Sequence, residues 1–174
     1  ALIAHSYTDA LTGLPNRRAL FEDLTTLFSL ARHLKRNTVI AFIDLDDFKL
    51  INDRYGHEAG DQFLIEVGKR LPEEKQQDDI IGRLGGDEFL VASLSTSHSK
   101  GDTEQITLLK TRLSACIAGE YWLGSVNLIY PGASLGVIEV DPQVTDPDSA
   151  LRDADVAMYQ DKKGKSKTRF LTMD

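Results

Sequence analysis

Apolar residues recur at Leu20, Leu24, Leu27, Leu30 and Leu34, the three- and four-residue steps of a helix that buries one stripe. This predicts a helix over 17–35, preceded by turn chemistry at 9–16 (DALTGLPN). Residues 38–45 (TVIAFIDL) are a β-branched and aromatic run without polar alternation, the pattern of a strand covered on both faces. That strand delivers Asp44 near its end. A short helix over 47–55 ended by Gly56, and a longer one over 59–71 with Phe63, Val67 and Leu71 on one face and Pro72 behind it, come next. Residues 79–94 read as strand, Gly85-Gly86 turn and strand. Helical spacing returns over 104–118 through Ile106, Leu109, Leu113 and Ile117. Strands broken at Pro131-Gly132 follow over 121–140, then a helix over 148–162 and a closing strand over 168–172. Only 95–103 reads as an extended polar loop. The order predicts an α+β domain with a mixed, largely antiparallel sheet flanked by helices.

At 174 residues, 41% apolar and 27% charged, the chain is sized and composed for one domain with its own core. Its longest apolar runs are about five residues, such as Val39 to Ile43, against the ~20 that a bilayer crossing needs. No membrane insertion of this segment is expected. The start lacks a basic stretch followed by an apolar one, so no secretory leader is read, and its abruptness suggests a piece of something larger. Cys116 is the only cysteine, which excludes disulfides within the chain and thiolate zinc cages and is compatible with a reducing cytoplasm. With 27 acidic and 20 basic side chains the net charge is −7, which argues against a nucleic-acid partner. An anionic ligand would need metal ions or a local basic patch.

The densest polar cluster, Asp44-Leu45-Asp46-Asp47, stands where the buried strand ends, and Asp87-Glu88 stand at the tip of the expected hairpin. Two acidic tips on adjacent strands suit a hard divalent cation such as Mg²⁺, which takes a few protein oxygens and completes its shell with phosphate and water. Spacing alone equally allows Asp46, Asp47 and Glu88 to be solvated turn residues and helix caps. The glycine pair would let a ligand approach the backbone closely, and also suits an ordinary tight turn.

The run Arg83-Leu84-Gly85-Gly86-Asp87-Glu88-Phe89, with DALTGLPNRRAL at 9–20, FIDLDDFKLINDRYGHEAGD at 42–61 and ADVAMY at 154–159, resembles the GGDEF family of diguanylate cyclases. The blocks lie in family order along nearly the whole chain. The resemblance implies a single GGDEF domain over 1–174, the C-terminal part of a longer sensor protein, with a nucleotide-cyclase palm-like fold on a ferredoxin-like core. It implies cytoplasmic condensation of two GTP into cyclic di-GMP across a transient or signal-controlled homodimer. Two Mg²⁺ per site, or Mn²⁺ in their place, would be held by Asp44, Asp87, the Leu45 carbonyl and Glu88. Asp87 is the family's candidate for taking the proton of the attacking 3′-hydroxyl, although metal activation makes a dedicated base unnecessary. Asn52 and Asp61 match the guanine-reading positions. The N–H groups of Asp47, Phe48 and Lys49 open a helix that would hold phosphates, and Lys49 would neutralise phosphoryl charge.

Two departures from the family pattern stand out. After the ADVAMY block, members commonly read lysine, two residues, then glycine-arginine-asparagine-arginine. Here Lys162-Lys163-Gly164-Lys165-Ser166-Lys167 is one residue shorter and has lysine for arginine, which lacks the bidentate fork. Lys162 would carry the phosphate contact, with Lys165 as the second candidate for it. Many members also carry an arginine-x-x-aspartate product site. Here Asp79 is present but Gln76 replaces the arginine, so product inhibition is expected to be weak or absent. The altered lysine stretch is what supports the alternative of a catalytically weak GTP-binding regulatory module.

Overall fold

The computed structural model describes residues 6–96, 103–165 and 171–173. Its helices are α1 (Arg17–Leu34), α2 (Phe48–Tyr55), α3 (His57–Arg70), α4 (Thr103–Ile117) and α5 (Pro147–Gly164). Its strands are β1 (Thr38–Asp44), β2 (Ile80–Gly85), β3 (Glu88–Leu94), β4 (Gly119–Trp122), β5 (Asn127–Tyr130), β6 (Ser134–Val140) and β7 (Leu171–Met173). The main sheet has the order β2-β3-β1-β6, and β4-β5-β7 form a smaller one. The expected sheet was mixed but largely antiparallel, and among the described residues every strand pairing is antiparallel. β3 lies between β1 and β2 and antiparallel to both, as in a split βαβ unit.

β1 is buried along its whole length because helices cover both faces of the sheet. Val39, Ala41 and Ile43 pack with Ile51 of α2, Phe63 and Val67 of α3 and Leu113 of α4. Ile40 and Phe42, on the opposite face by strand alternation, pack with Leu24 and Phe28 of α1 and with Ala154 and Met158 of α5. Continuous apolar character in 38–43 was therefore the correct strand signal. Phe63 sits edge-on to Tyr121 and Tyr130, with both pairs of ring centroids 4.7 Å apart. Among the described residues no helix is long and apolar enough to cross a membrane.

Local chemistry sets the element ends. Asn16 caps α1 by accepting the Ala19 N–H at 3.0 Å, and Asp146 caps α5 by accepting that of Ser149 at 2.8 Å, with Pro147 in the first turn. α3 ends at Arg70, just ahead of Pro72 as expected, and the chain does not straighten at once. Residues Leu71–Glu74 tighten into a 3₁₀ turn whose N-terminal half tolerates a proline without an N–H. The hairpin also differs from the expected Gly85-Gly86 turn. Gly85 still pairs with Glu88 across an irregularity between Arg83 and Gly85, so the tip is Gly86-Asp87. Of the expected closing strand, 168–170 lie outside the described residues, as do Lys167 of the basic run and most of the 95–103 loop.

Candidate active site

The antiparallel register sets Asp44, the last residue of β1, opposite Glu88 on β3 and Ser134 on β6. Leu45 then donates its N–H to the Asp87 carbonyl at 3.0 Å, which locks the hairpin tip onto the end of β1. The tip is held from the other side as well. Arg83 donates to the Gly86 carbonyl at 2.8 Å and to Asp9 Oδ1 at 3.0 Å, and Arg17 donates to the Leu84 carbonyl at 3.2 Å. The 9–20 block is thus a brace for the turn that carries Asp87.

Electrostatics at this junction are unfavourable without a cation. Burial, repulsion from Asp44 and a hydrogen bond that requires Asp87 to keep its proton push the Asp87 carboxyl up to about 6. Glu88 is raised too, by burial and then by Asp44 and Asp155, with Arg17 and Lys162 pulling the other way. Asp44 Oδ1 is buried and has no hydrogen-bond partner among the described residues. Among the described residues no group of three or more His, Cys, Asp or Glu side chains is disposed to hold a metal. The carboxylates that meet here are those of Asp44 and Asp87, with Glu88 close enough to feel the charge of Asp44. Such a short set fits a hard cation whose remaining positions are filled by phosphate and water.

Basic charge arrives from the end of α5. Lys162 donates to Asp44 Oδ2 at 3.0 Å, and Lys165 to Asp46 Oδ2 at 3.0 Å and to the Ala133 carbonyl. Partial burial opposes the Lys162 charge, but the hydrogen bond and the field of Asp44, Asp46 and Asp87 hold its pKa above the ordinary lysine value. Asp46 Oδ1 also accepts from Ser134 Oγ at 2.7 Å, and its carbonyl accepts from Tyr130 Oη at 2.5 Å. Both lysines expected to meet phosphate thus rest on acidic groups.

Beyond Asp46 the chain enters α2 through Asp47, whose left-handed φ of 61° sharpens the turn. Aspartate tolerates this conformation better than most residues. The Phe48 N–H faces the Leu45 carbonyl at 3.3 Å, so two expected ligand groups partner one another. Lys49 is exposed in the first turn of α2. Asn52 is half-buried on α2 and lies against Gly60 of α3, immediately before the exposed Asp61. Neither is at an element end: both sit within helices, α2 and α3.

Gln76 and Asp79 lie apart from this cluster, with the Gln76 N–H donated to Asp79 Oδ2 at 2.9 Å. Beside them opens a cavity of about 410 Å³ whose lining includes Arg36, Gln105, Leu108 and Arg112. Burial leads the rise of the Asp79 carboxyl, with the Gln76 N–H opposing it. Sequence reasoning missed the parts played by Asp9, Arg17 and Arg83, although all lie in quoted blocks. It also missed Tyr130 and Ser134, which carry no local signal because their partner is 84 or more residues away.

Residues 6–168 match the GGDEF diguanylate cyclase domain. The chain belongs to this family. It is 64% identical over 171 residues to the diguanylate cyclase DgcP of Escherichia coli K12, covering 98% of this chain and 49% of DgcP. It is 35% identical to the cyclic di-GMP phosphodiesterase PdeR of the same organism, over 90% of this chain and 22% of PdeR. The chain therefore spans about half or less of these relatives. The crystal structure of a sensory box/GGDEF family protein from Caulobacter crescentus CB15 superposes with a TM-score of 0.83 at 31% identity. That match covers 91% of this chain and 99% of the other. The α+β architecture is thus that of the GGDEF fold.

Proposed function

We propose that this GGDEF domain is a diguanylate cyclase that condenses two GTP into cyclic di-GMP and two pyrophosphates. One observation carries the reading: buried Asp44, with Oδ1 lacking a donor, faces an Asp87 whose carboxyl is held up to about 6. Asp44, Asp87, the Leu45 carbonyl and Glu88 would hold two Mg²⁺, or Mn²⁺ in their place. Bound there, the ions would neutralise triphosphate charge and lower the pKa of the attacking hydroxyl.

The chain's own groups supply positioning. Asn52 and Asp61 present an amide and a carboxylate to the guanine edge, and the N–H groups of Asp47 and Lys49 and the ammonium of Lys49 face the phosphates, joined by the Phe48 N–H where phosphate replaces its long contact to the Leu45 carbonyl. Lys162 and Lys165 leave Asp44 and Asp46 for phosphate oxygens. The 3′-oxygen of one GTP bonds to the α-phosphorus of the other while the bond to pyrophosphate breaks and its electron pair leaves with it. The hydroxyl proton passes to Asp87 or to solvent. Repetition with the roles exchanged closes the ring. One site holds one GTP, so two copies meet face to face in a transient or signal-controlled homodimer.

DgcP extends well beyond the matched half, which supports a further domain here, read as an upstream sensory one, and the need for GTP supports a cytoplasmic setting. Incubating the protein with GTP and Mg²⁺ over a range of protein concentrations tests the proposal. Cyclic di-GMP and pyrophosphate should form at a rate that rises more steeply than protein concentration. GTP that binds and stays intact would make this a regulatory binding module instead.

A further inference from the structure

We infer that Gly60 is a positioning residue for base recognition, kept without a side chain so that the Asn52 amide can occupy its place between α2 and α3. The inference rests on the reading of Asn52 as a guanine contact. Gly60 is buried inside α3, where glycine is a poorer helix former than alanine. Its backbone does not require glycine, since it is not among the residues with positive φ. What requires it is room. A Cβ at position 60 would overlap Asn52 Oδ1 and stand 2.8 Å from its Cγ.

The nature of the obstructing atom decides what a substitution does. At Gly136 a Cβ would run into the backbone of α5, at Ala154, Ala157 and Met158, so strand or helix must shift. At Gly60 the three nearest atoms are the carboxamide end of one side chain. That amide is the far end of a side chain that can rotate, and its packing against Gly60 is what keeps it between the helices. A methyl group there would turn the amide aside and leave the helices where they are. Asp61 follows at once in α3, so the closely packed Asn52-Gly60 contact also sets the spacing between the two expected guanine-reading groups.

The test is calorimetric binding of 3′-deoxy-GTP and 3′-deoxy-ATP with Mg²⁺ to wild type, Gly60→Ala, Asn52→Ala and the double variant, with thermal unfolding of each. Neither nucleotide can react, so affinity is read alone. Gly60→Ala should bind 3′-deoxy-GTP about tenfold more weakly, the loss of one good hydrogen bond, with an unchanged or raised melting temperature. Its preference for 3′-deoxy-GTP over 3′-deoxy-ATP should shrink. The double variant should bind no more weakly than Asn52→Ala, because the group displaced by the methyl is already gone. Wild-type affinity in Gly60→Ala beside a weakened Asn52→Ala would overturn this inference alone, as would a lowered melting temperature or additive losses. Wild-type affinity in Asn52→Ala would overturn the guanine reading and this inference with it.

Discussion

Lys162 Nζ donates to Asp44 Oδ2 at 3.0 Å, joining the end of α5 to the end of β1. The same ammonium lies 3.9 Å from Asp46 Oδ1. An internal cation therefore sits on the carboxylate expected to hold a metal, and metal loading has to move it. Lysine suits this exchange because its charge rides on a flexible stem and makes no fixed fork.

Lys162→Met should therefore separate two effects. Without nucleotide the variant loses a competitor for Asp44, and Mn²⁺ should bind severalfold more tightly, since a partly exposed pair of this kind contributes up to about 1 kcal/mol. With Mn²⁺ present, GTP should bind more weakly because a phosphate contact is gone. Electron paramagnetic resonance of free Mn²⁺ in titrations with and without 3′-deoxy-GTP reads both. Unchanged Mn²⁺ affinity in the nucleotide-free variant would show that the ion pair does not compete with metal.

Asp87 should leave a signature in the pH dependence of stability. Its folded pKa, about 6, lies above the model-peptide value of 3.8. Folding thus favours its protonated form, and that contribution is full below 3.8 and lost as pH rises through about 6. Above this range the ionised side chain is a liability in metal-free protein, of about 1 kcal/mol once solvent screening at a half-exposed site is allowed for. Asp87→Asn should therefore match wild type near pH 4 and exceed it in urea midpoint at pH 7.5 in EDTA. Asp87→Ala should abolish turnover while leaving the fold intact, because a residue at the hairpin tip opens no core cavity. A stability difference independent of pH would refute the assigned repulsion.

The elements carrying this chemistry were legible where the signal was local. β1 announced itself through an uninterrupted apolar run, and α1 through leucines at helical steps. The acidic junction was legible too, since Asp44 and Asp87 each close or cap a strand that could be read on its own. What escaped were relationships set by the third dimension. No spacing rule says that Tyr130 reaches the Asp46 carbonyl or that Asn52 needs an empty position at Gly60. Nor does composition show that Lys162 and Lys165 rest on carboxylates, because 118 and 119 residues separate the partners.

Gln76 bears on regulation. The cavity beside it retains Asp79, Arg36 and Arg112, yet Arg36 already donates to the Ser95 carbonyl at 2.7 Å and Arg112 to that of Glu74 at 2.7 Å. Neither is a direct replacement for an arginine at position 76. Cyclic di-GMP should bind weakly at this site, and Gln76→Arg should strengthen binding by about tenfold or more, as expected for a regained charge-assisted bidentate contact. Isothermal titration of both proteins checks this. Tight wild-type binding that Asp79→Ala removes would show that glutamine suffices.

Tyr130 offers the sharpest separation of stability from positioning. Its ring is packed in the core against Phe63, and its hydroxyl reaches out to the Asp46 carbonyl at 2.5 Å, one residue before the strained Asp47. Tyr121 packs on the same phenylalanine but donates to the Ile117 carbonyl at 2.6 Å, at the end of α4. Removing either hydroxyl takes the donor from a carbonyl, buried at Ile117 and part-buried at Asp46, and should cost about 1–2 kcal/mol in urea unfolding. Only Tyr130→Phe should also lower turnover of GTP, because only that hydroxyl anchors the bend from which the N–H groups of α2 emerge. Tyr121→Phe should keep its rate under conditions where both variants are folded. Equal rates in the two variants would mean that the bend is fixed without Tyr130, leaving the Ser134 and Lys165 contacts to Asp46 as the anchors.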